Sequence, residues 1–395
     1  RVIRLEEGLH HVQTLRRELP RVLPGSGDAL TTGGSNTAVG YQTLSTEDTG
    51  TRNTAVGYQA LRDLNYDGTG HNVAVGYQSG VLVSTGVQNT IVGALAGDAL
   101  TTGGYNVAIG YGALSAEDDG SYNTAVGRGA LQTQDAGNAY NTALGYNTGN
   151  AVTTGVQNTL IGGLAGDALT TGEKNVAIGY AALGAEDTGS RNIAIGNAAL
   201  FSLNYDGEGY NVAIGHTAGY AMTTGVRNTI IGGLAGDALT VGEKNTAVGY
   251  SALSADDTGS NNTAVGHRAL SELNFDGNGY NTALGSDAGR KVSTGVQNTV
   301  LGALAGDALT TGSDNVAIGY FSMSTDDVGG RSVAVGSHAL TNQNGGSLHV
   351  YNVGIGYNAG ASMTNGTKNT IIGGNAGDAL TTGSENVAVG YAALS

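Results

Sequence analysis

The sequence has no cysteine and no tryptophan, and only two prolines, three phenylalanines and three methionines in 395 residues. Without cysteine there is neither a disulfide framework nor a thiolate zinc site. No apolar run approaches the roughly 20 residues a membrane-spanning helix requires, so membrane insertion of this segment is not expected. Positive charge is scarce: 17 Lys and Arg face 32 Asp and Glu, a net charge of −15. Residues 1–21 hold five Arg against three Glu, leaving 12 basic and 29 acidic residues in the rest. A surface of that sign repels phosphate backbones, and nucleic acid is not an expected partner. The chain begins at Arg1 without Met and stops in mid-repeat, which reads as a piece of something longer.

Glycine is abundant, with 69 residues, and it is periodic. The unit is Asn-(Thr/Val/Ile)-X-(Val/Ile/Leu)-Gly, first at Asn36-Thr37-Ala38-Val39-Gly40 and last at Asn386-Val387-Ala388-Val389-Gly390. Its 21 copies are separated by 17 residues in fifteen of twenty steps and by 18 to 20 in the others. A step that lengthens but never shortens describes a fixed structural turn with optional loops. Every fourth copy matches best, so 36–395 divides into five four-turn super-repeats and a final turn. Place four is aliphatic and place five Gly in every copy; place one is Asn except at Ser332.

An array of this kind grows by adding turns, and the fold expected is all-β, a parallel β-roll or β-solenoid. In an extended pentapeptide, places two and four project to one side and three and five to the other. Val39 and its equivalents are therefore expected to form the inward row. The large aliphatics at place three of every fourth turn, Ile91, Leu160, Ile230, Val300 and Ile371, are then expected outside, where they ask for a partner surface. Gly40, Gly57 and Gly110 are read as corners or close backbone approaches. Asn36, Asn53 and Asn106 are read as members of a stacked amide ladder. A second short strand is expected after the Gly, in segments such as Tyr-Gln-Ala-Leu.

Ahead of the array, Val2, Leu5, Leu9, Val12, Arg16 and Leu19 follow heptad a and d spacing until Pro20 stops the helix. Residues 1–19 are thus expected to be a helix, either a trimeric coiled coil or an amphipathic cap on the first turn. Residues 20–35 are a linker and a first partial turn.

The units at 36–41, 53–58, 106–111, 175–180 and 315–320, Asn-Thr-Ala-Val-Gly-Tyr and Asn-Val-Ala-Ile-Gly-Tyr, resemble the YadA-like head repeats of trimeric autotransporter adhesins, repeats also seen in phage tail fibres. The resemblance covers 36–395. It implies a left-handed roll, three chains side by side joined to coiled-coil stalks, and binding to a host surface. The 17-residue step is longer than that family's usual one, and the four-turn super-repeat with inserted loops tilts the reading toward a virion fibre.

Paired carboxylates recur at Glu47/Asp48, Glu117/Asp118/Asp119, Glu186/Asp187, Asp256/Asp257 and Asp326/Asp327. Two carboxyl groups can hydrolyse a glycosidic bond, and neighbouring ones can hold Ca2+. Five near-copies in equivalent turns read instead as solvated turns, with no alternating-ligand calcium loop and no cofactor. Asp98, Asp167, Asp237, Asp307 and Asp378 read as turn residues bonded to backbone N–H groups. The histidines lack metal-ligand spacing, and no catalytic residue is assigned. For receptor binding the candidates are the inserted loops of the second turns, 62–71, 131–140, 201–210, 271–280 and 341–351. Within them Tyr66, Asp67, Tyr205, Asp206, Phe275 and Asp276 pair an aromatic ring with a carboxylate, a combination used in glycan recognition.

The expected function is a non-enzymatic, extracellular fibre segment: a homotrimeric phage tail fibre or adhesin shaft that presents sites to a host glycan or protein and joins other fibre or virion proteins. An ice-binding or surface-lattice solenoid is the alternative, from the Thr pairs at 31–32, 101–102, 170–171 and 310–311. A polysaccharide depolymerase ranks below both.

Overall fold

In a computed structural model that describes residues 24–346 and 349–395, the chain is an all-β parallel solenoid with 21 three-residue strands and, among the described residues, no helix. It divides into two compact units, Arg1–Asn192 and Ile193–Ser395. The first carries β1 (Thr37–Val39) to β9 (Val176–Ile178), the second β10 (Ile193–Ile195) to β21 (Val387–Val389). Within each unit successive strands pair in parallel and in register: Ala38 lies opposite Ala55 in the first, Ala247 opposite Ala264 in the second. The heptad-spaced segment 1–19 lies outside the described residues. From Pro24 onward the chain bonds to the first turn, Gly27 N–H to Thr43 O at 2.9 Å and Thr31 N–H to Asp48 O at 2.8 Å.

Each turn has one strand, where the sequence suggested two. The expected second strand is excluded by its backbone, because places seven and nine take positive φ in all 21 turns, as at Gln59 (φ 55) and Leu61 (φ 48). The segment still bonds between turns. Gln59 N–H donates to Tyr41 O behind it at 2.8 Å, and Leu61 N–H to Ser79 O ahead of it at 3.1 Å. A leucine in the left-handed region costs about 1 kcal/mol or more, and burying its side chain completely offsets that.

The strand faces are the reverse of the expected ones. Place three points inward: Ala55 and Ile91 are both 0% exposed. Place four points outward, with Leu144 and Leu284 each 47% exposed. The interior explains the inversion. It is filled from places three, eight, nine and twelve, and it is too narrow for a large residue at both three and nine. First and second turns carry Ala at three and Leu, or once Met323, at nine, as in Ala55 with Leu61. Fourth turns carry Ile, Leu or Val at three and Gly at nine, as in Ile91 with Gly97 and Ile230 with Gly236. A Cβ on Gly236 would stand 3.2 Å from Ile230 Cδ1. The large place-three residues therefore supply core volume and need no outside partner.

At place five the requirement for glycine is both conformational and steric. Gly57 has φ +135, and a Cβ there would collide with the carbonyl of Gly76 one turn on. At place one the asparagines form the ladder read from the sequence. Asn106 takes the N–H of Asn123 on Oδ1 at 2.9 Å and donates from Nδ2 to Gly120 O at 2.7 Å, fully buried. The ladder thereby satisfies backbone groups at both bends of the turn.

Candidate functional site

Place twelve faces the interior and holds Leu64, Val83 and Leu100 in three turns of a super-repeat. In the first turn of each it holds a carboxylate: Glu47, Glu117, Glu186, Asp256 or Asp326, all 0% exposed. The reading of these acids as solvated turns therefore fails for the first member of every pair. Spacing from the Asn, rather than local polarity, determines which residue enters the core. Each carboxylate closes a turn on the glycine three residues on; Glu47 accepts Gly50 N–H at 2.6 Å and Asp256 accepts Gly259 N–H at 2.9 Å. The same groups reach the inserted loop of the next turn, since Glu47 also accepts Tyr66 N–H at 3.3 Å.

Burial pushes the carboxyls of Glu47, Glu117 and Asp326 above their ordinary range, and that of Asp256 up to about 6. Backbone and side-chain donors pull the other way without cancelling it. Burial also raises the carboxyls of Asp98, Asp167, Asp237 and Asp307, and the Oδ1 atoms of Asp98, Asp237 and Asp307 are buried without a hydrogen-bond partner among the described residues.

For metal, Glu117, Asp118 and Asp135 bring three carboxylate oxygens within 4.8 Å of one another. Glu117 already accepts Gly120 N–H at 2.8 Å and Gln134 Nε2 at 2.9 Å, so its oxygens serve the fold first. Among the described residues histidines do not converge on it: His267 stacks on Tyr250 and His338 on Phe321, each with centroids 5.8 Å apart.

The loop candidates lie where the sequence placed them, on the insertions, but they are engaged with the solenoid itself. The Tyr66 ring lies over Gly68 of its own loop, where a Cβ would stand 2.8 Å from Cε1, and the Tyr205 ring lies similarly over Gly207. Tyr205 and Phe275 are half-buried. The Asp67 and Asp276 carboxylates each accept a threonine hydroxyl of the preceding turn, from Thr49 and Thr258, at 2.5 Å. The Thr pairs of the lattice reading are partly committed too: Thr101 and Thr310 donate their hydroxyls to Asp118 O at 3.0 Å and Asp327 O at 2.8 Å.

What sequence reasoning missed is the outer surface. Place four makes an aliphatic row along every strand, with Thr, Val or Ile at place two beside it. Past the Gly bend, place six carries ring ladders. Tyr41, Tyr58 and Tyr77 stack at centroid distances of 5.2 and 5.1 Å, and behind them Gln42, Gln59 and Gln78 bond side chain to side chain at 2.8 and 2.9 Å. Recurrence of Tyr at one place and Gln at the next was the available signal. Comparison of the chain with protein-family models, with curated proteins and with solved structures finds no match in any of the three.

Proposed function

We propose that the chain is a structural and adhesive fibre segment, a phage tail fibre or an extracellular trimeric adhesin shaft. In it three left-handed solenoids lie side by side behind a coiled coil formed by residues 1–19. The shaft spaces and presents sites for a host cell-surface glycan or protein and joins other fibre or virion proteins. One observation carries this reading, the outward aliphatic row at place four. It repeats in all 21 turns, and in a single chain its members are half-buried to exposed, Val39 at 43% and Leu144 and Leu284 at 47%. Apolar area repeated at a fixed rise favours a partner of the same rise, which a second copy supplies. Three is the number that the resemblance implies.

Sedimentation equilibrium on the recombinant chain tests the reading. Three copies are expected, and a chain that sediments as a monomer overturns it. Leu144→Glu with Leu284→Glu changes only outward positions, so the variant keeps its fold and loses association. The outward threonines at place two, beside Val, Ile or Leu at place four, favour a second reading, an ice-binding or surface-lattice solenoid. Thermal hysteresis in solution separates the two. A depolymerase ranks lower, because the buried acids are held by their own turns; failure of the purified chain to degrade capsule or lipopolysaccharide removes it.

A further inference from the structure

One stretch of the first unit departs from the ladders. Place seven is Gln, Leu, Asn, Ala or another side chain in 19 turns and Gly in two, which are consecutive: Gly112 and Gly129. Place six beside Gly129 is Arg128, the one arginine at that place in the array. Where other turns have interlocked side chains, these residues leave a small half-open pocket at the surface, of about 140 Å³, lined by Tyr111, Arg128, Gly129, Gln132, Asn147 and Asn150.

The lining is organised. The Arg128 guanidinium lies 5.8 Å from the Tyr111 ring centroid and 5.6 Å from that of Tyr146, and Nη1 donates to Tyr146 Oη at 3.2 Å. Two phenol rings thus hold a cation that pairs with no carboxylate among the described residues. Opposite it, Asn150 Nδ2 donates to Gln132 Oε1 at 3.0 Å and to Gly129 O at 3.1 Å. This fixes both amides and leaves Gln132 Nε2, Asn150 Oδ1 and the Asn147 amide without protein partners among the described residues.

We infer that this cavity binds one pyranose ring bearing a carboxylate, a uronic acid residue of an acidic glycan. The planar guanidinium fork takes the carboxylate through two parallel hydrogen bonds. The three carboxamides offer both donors and acceptors to ring hydroxyls. Tyr111 lines the site, and the Tyr146 ring holds the guanidinium in place. Its volume lies below the several hundred Å³ of a pocket for a larger apolar ligand, which leaves room for no more than one sugar ring. The site lies within one chain, so it goes beyond the fibre reading and stands whether or not chains associate.

The test is ligand-observed saturation-transfer NMR on the full chain with methyl glucuronide, methyl glucoside and inorganic phosphate. Methyl glucuronide is expected to bind with a Kd of roughly 1 mM and the glucoside at least about tenfold more weakly, the worth of a hydrogen-bonded charge. Arg128→Gln is expected to erase that preference. Gly129→Gln installs the residue that Gln59 and Gln78 provide at the same backbone conformation, so it keeps the fold, judged by an unchanged thermal midpoint, and fills the cavity, abolishing binding. Absence of glucuronide binding, equal binding of uronide and glucoside, competition by phosphate alone, or binding that survives Gly129→Gln would each overturn the assignment.

Discussion

Gln134 donates from Nε2 to Glu117 Oε2 at 2.9 Å, both side chains being fully buried and one turn apart. The pairing recurs where Gln343 meets Asp326 at 2.6 Å. In the other super-repeats the residue equivalent to Gln134 is Leu64, Leu203 or Leu273, so the carboxylate below has no side-chain donor from that place. Each glutamine also accepts from the next asparagine, Gln134 Oε1 from Asn141 at 2.8 Å and Gln343 Oε1 from Asn352 at 2.9 Å. Gln134→Leu removes a donor from a buried carboxylate and an acceptor from the ladder at once. It is expected to cost about 2 kcal/mol at pH 7.5 and less near pH 5, where Glu117 is more nearly protonated. Denaturant midpoints at the two pH values check both the size and the narrowing.

The isolated acids set the response to pH. Asp256 has a carboxyl raised from 3.8 to about 6 by burial. The folded chain therefore holds its proton up to about pH 6, while the unfolded chain releases it near 3.8. Protonation contributes stability that is complete below the unfolded value and lost as pH rises through the folded one. The shift corresponds to on the order of 3 kcal/mol between pH 4 and 7, and Glu47, Glu117 and Asp326 act in the same sense. The thermal midpoint of the whole chain is expected to be higher at pH 5 than at pH 7.5. Asp256→Asn is expected to flatten that slope whatever its absolute stability, and an unchanged slope counts against the burial argument.

The repeat, the parallel pairing, the glycine bends and the asparagine ladder were legible in the sequence because each needs one residue type at one spacing. The strand faces were not. An obligatory aliphatic at place four looked like core, yet Leu144 faces outward and Ala143 inward. The deciding signal was a correlation between distant places: Ala with Leu in one turn, Ile with Gly in another. Complementary volumes have meaning only when both residues fill the same space. The buried acids were missed for a related reason. Glu47 and Asp48 are adjacent, but only Glu47 stands at place twelve, which the Leu, Val and Met of other turns mark as interior.

The ladder has one natural departure, and it defines what the asparagine contributes. Ser332 takes its place and accepts Gln343 Nε2 at 3.2 Å and Asn352 N–H at 3.3 Å, so a glutamine from place twelve compensates for the missing amide. Asn106 has no such neighbour, since place twelve of its own turn is Glu117. Asn106→Ser is therefore expected to destabilise by about 2 kcal/mol, because the serine hydroxyl takes Asn123 N–H as Ser332 takes Asn352 N–H, but Gly120 O loses its donor. Solenoid stability is a sum of local terms, so hydrogen exchange should accelerate in the turns around residue 106 before it does near the ends of the unit.

The exchange of volume between places three and nine can be tested by moving it. Ile91→Ala leaves a hole beside Gly80 and Gly97, whose Cβ positions lie 2.8 and 3.5 Å from Ile91 Cδ1, and is expected to cost about 3 kcal/mol. Gly97→Leu alone overfills the same space, at about 2 kcal/mol. Together they recreate the arrangement of Ala55 with Leu61, whose place-nine leucine already adopts positive φ. The double variant is therefore expected to recover much of the loss, giving a coupling energy of about 1 kcal/mol or more in a double-mutant cycle of denaturant midpoints. Additive losses would mean that the two positions do not share one space and that the inward assignment of place three is wrong.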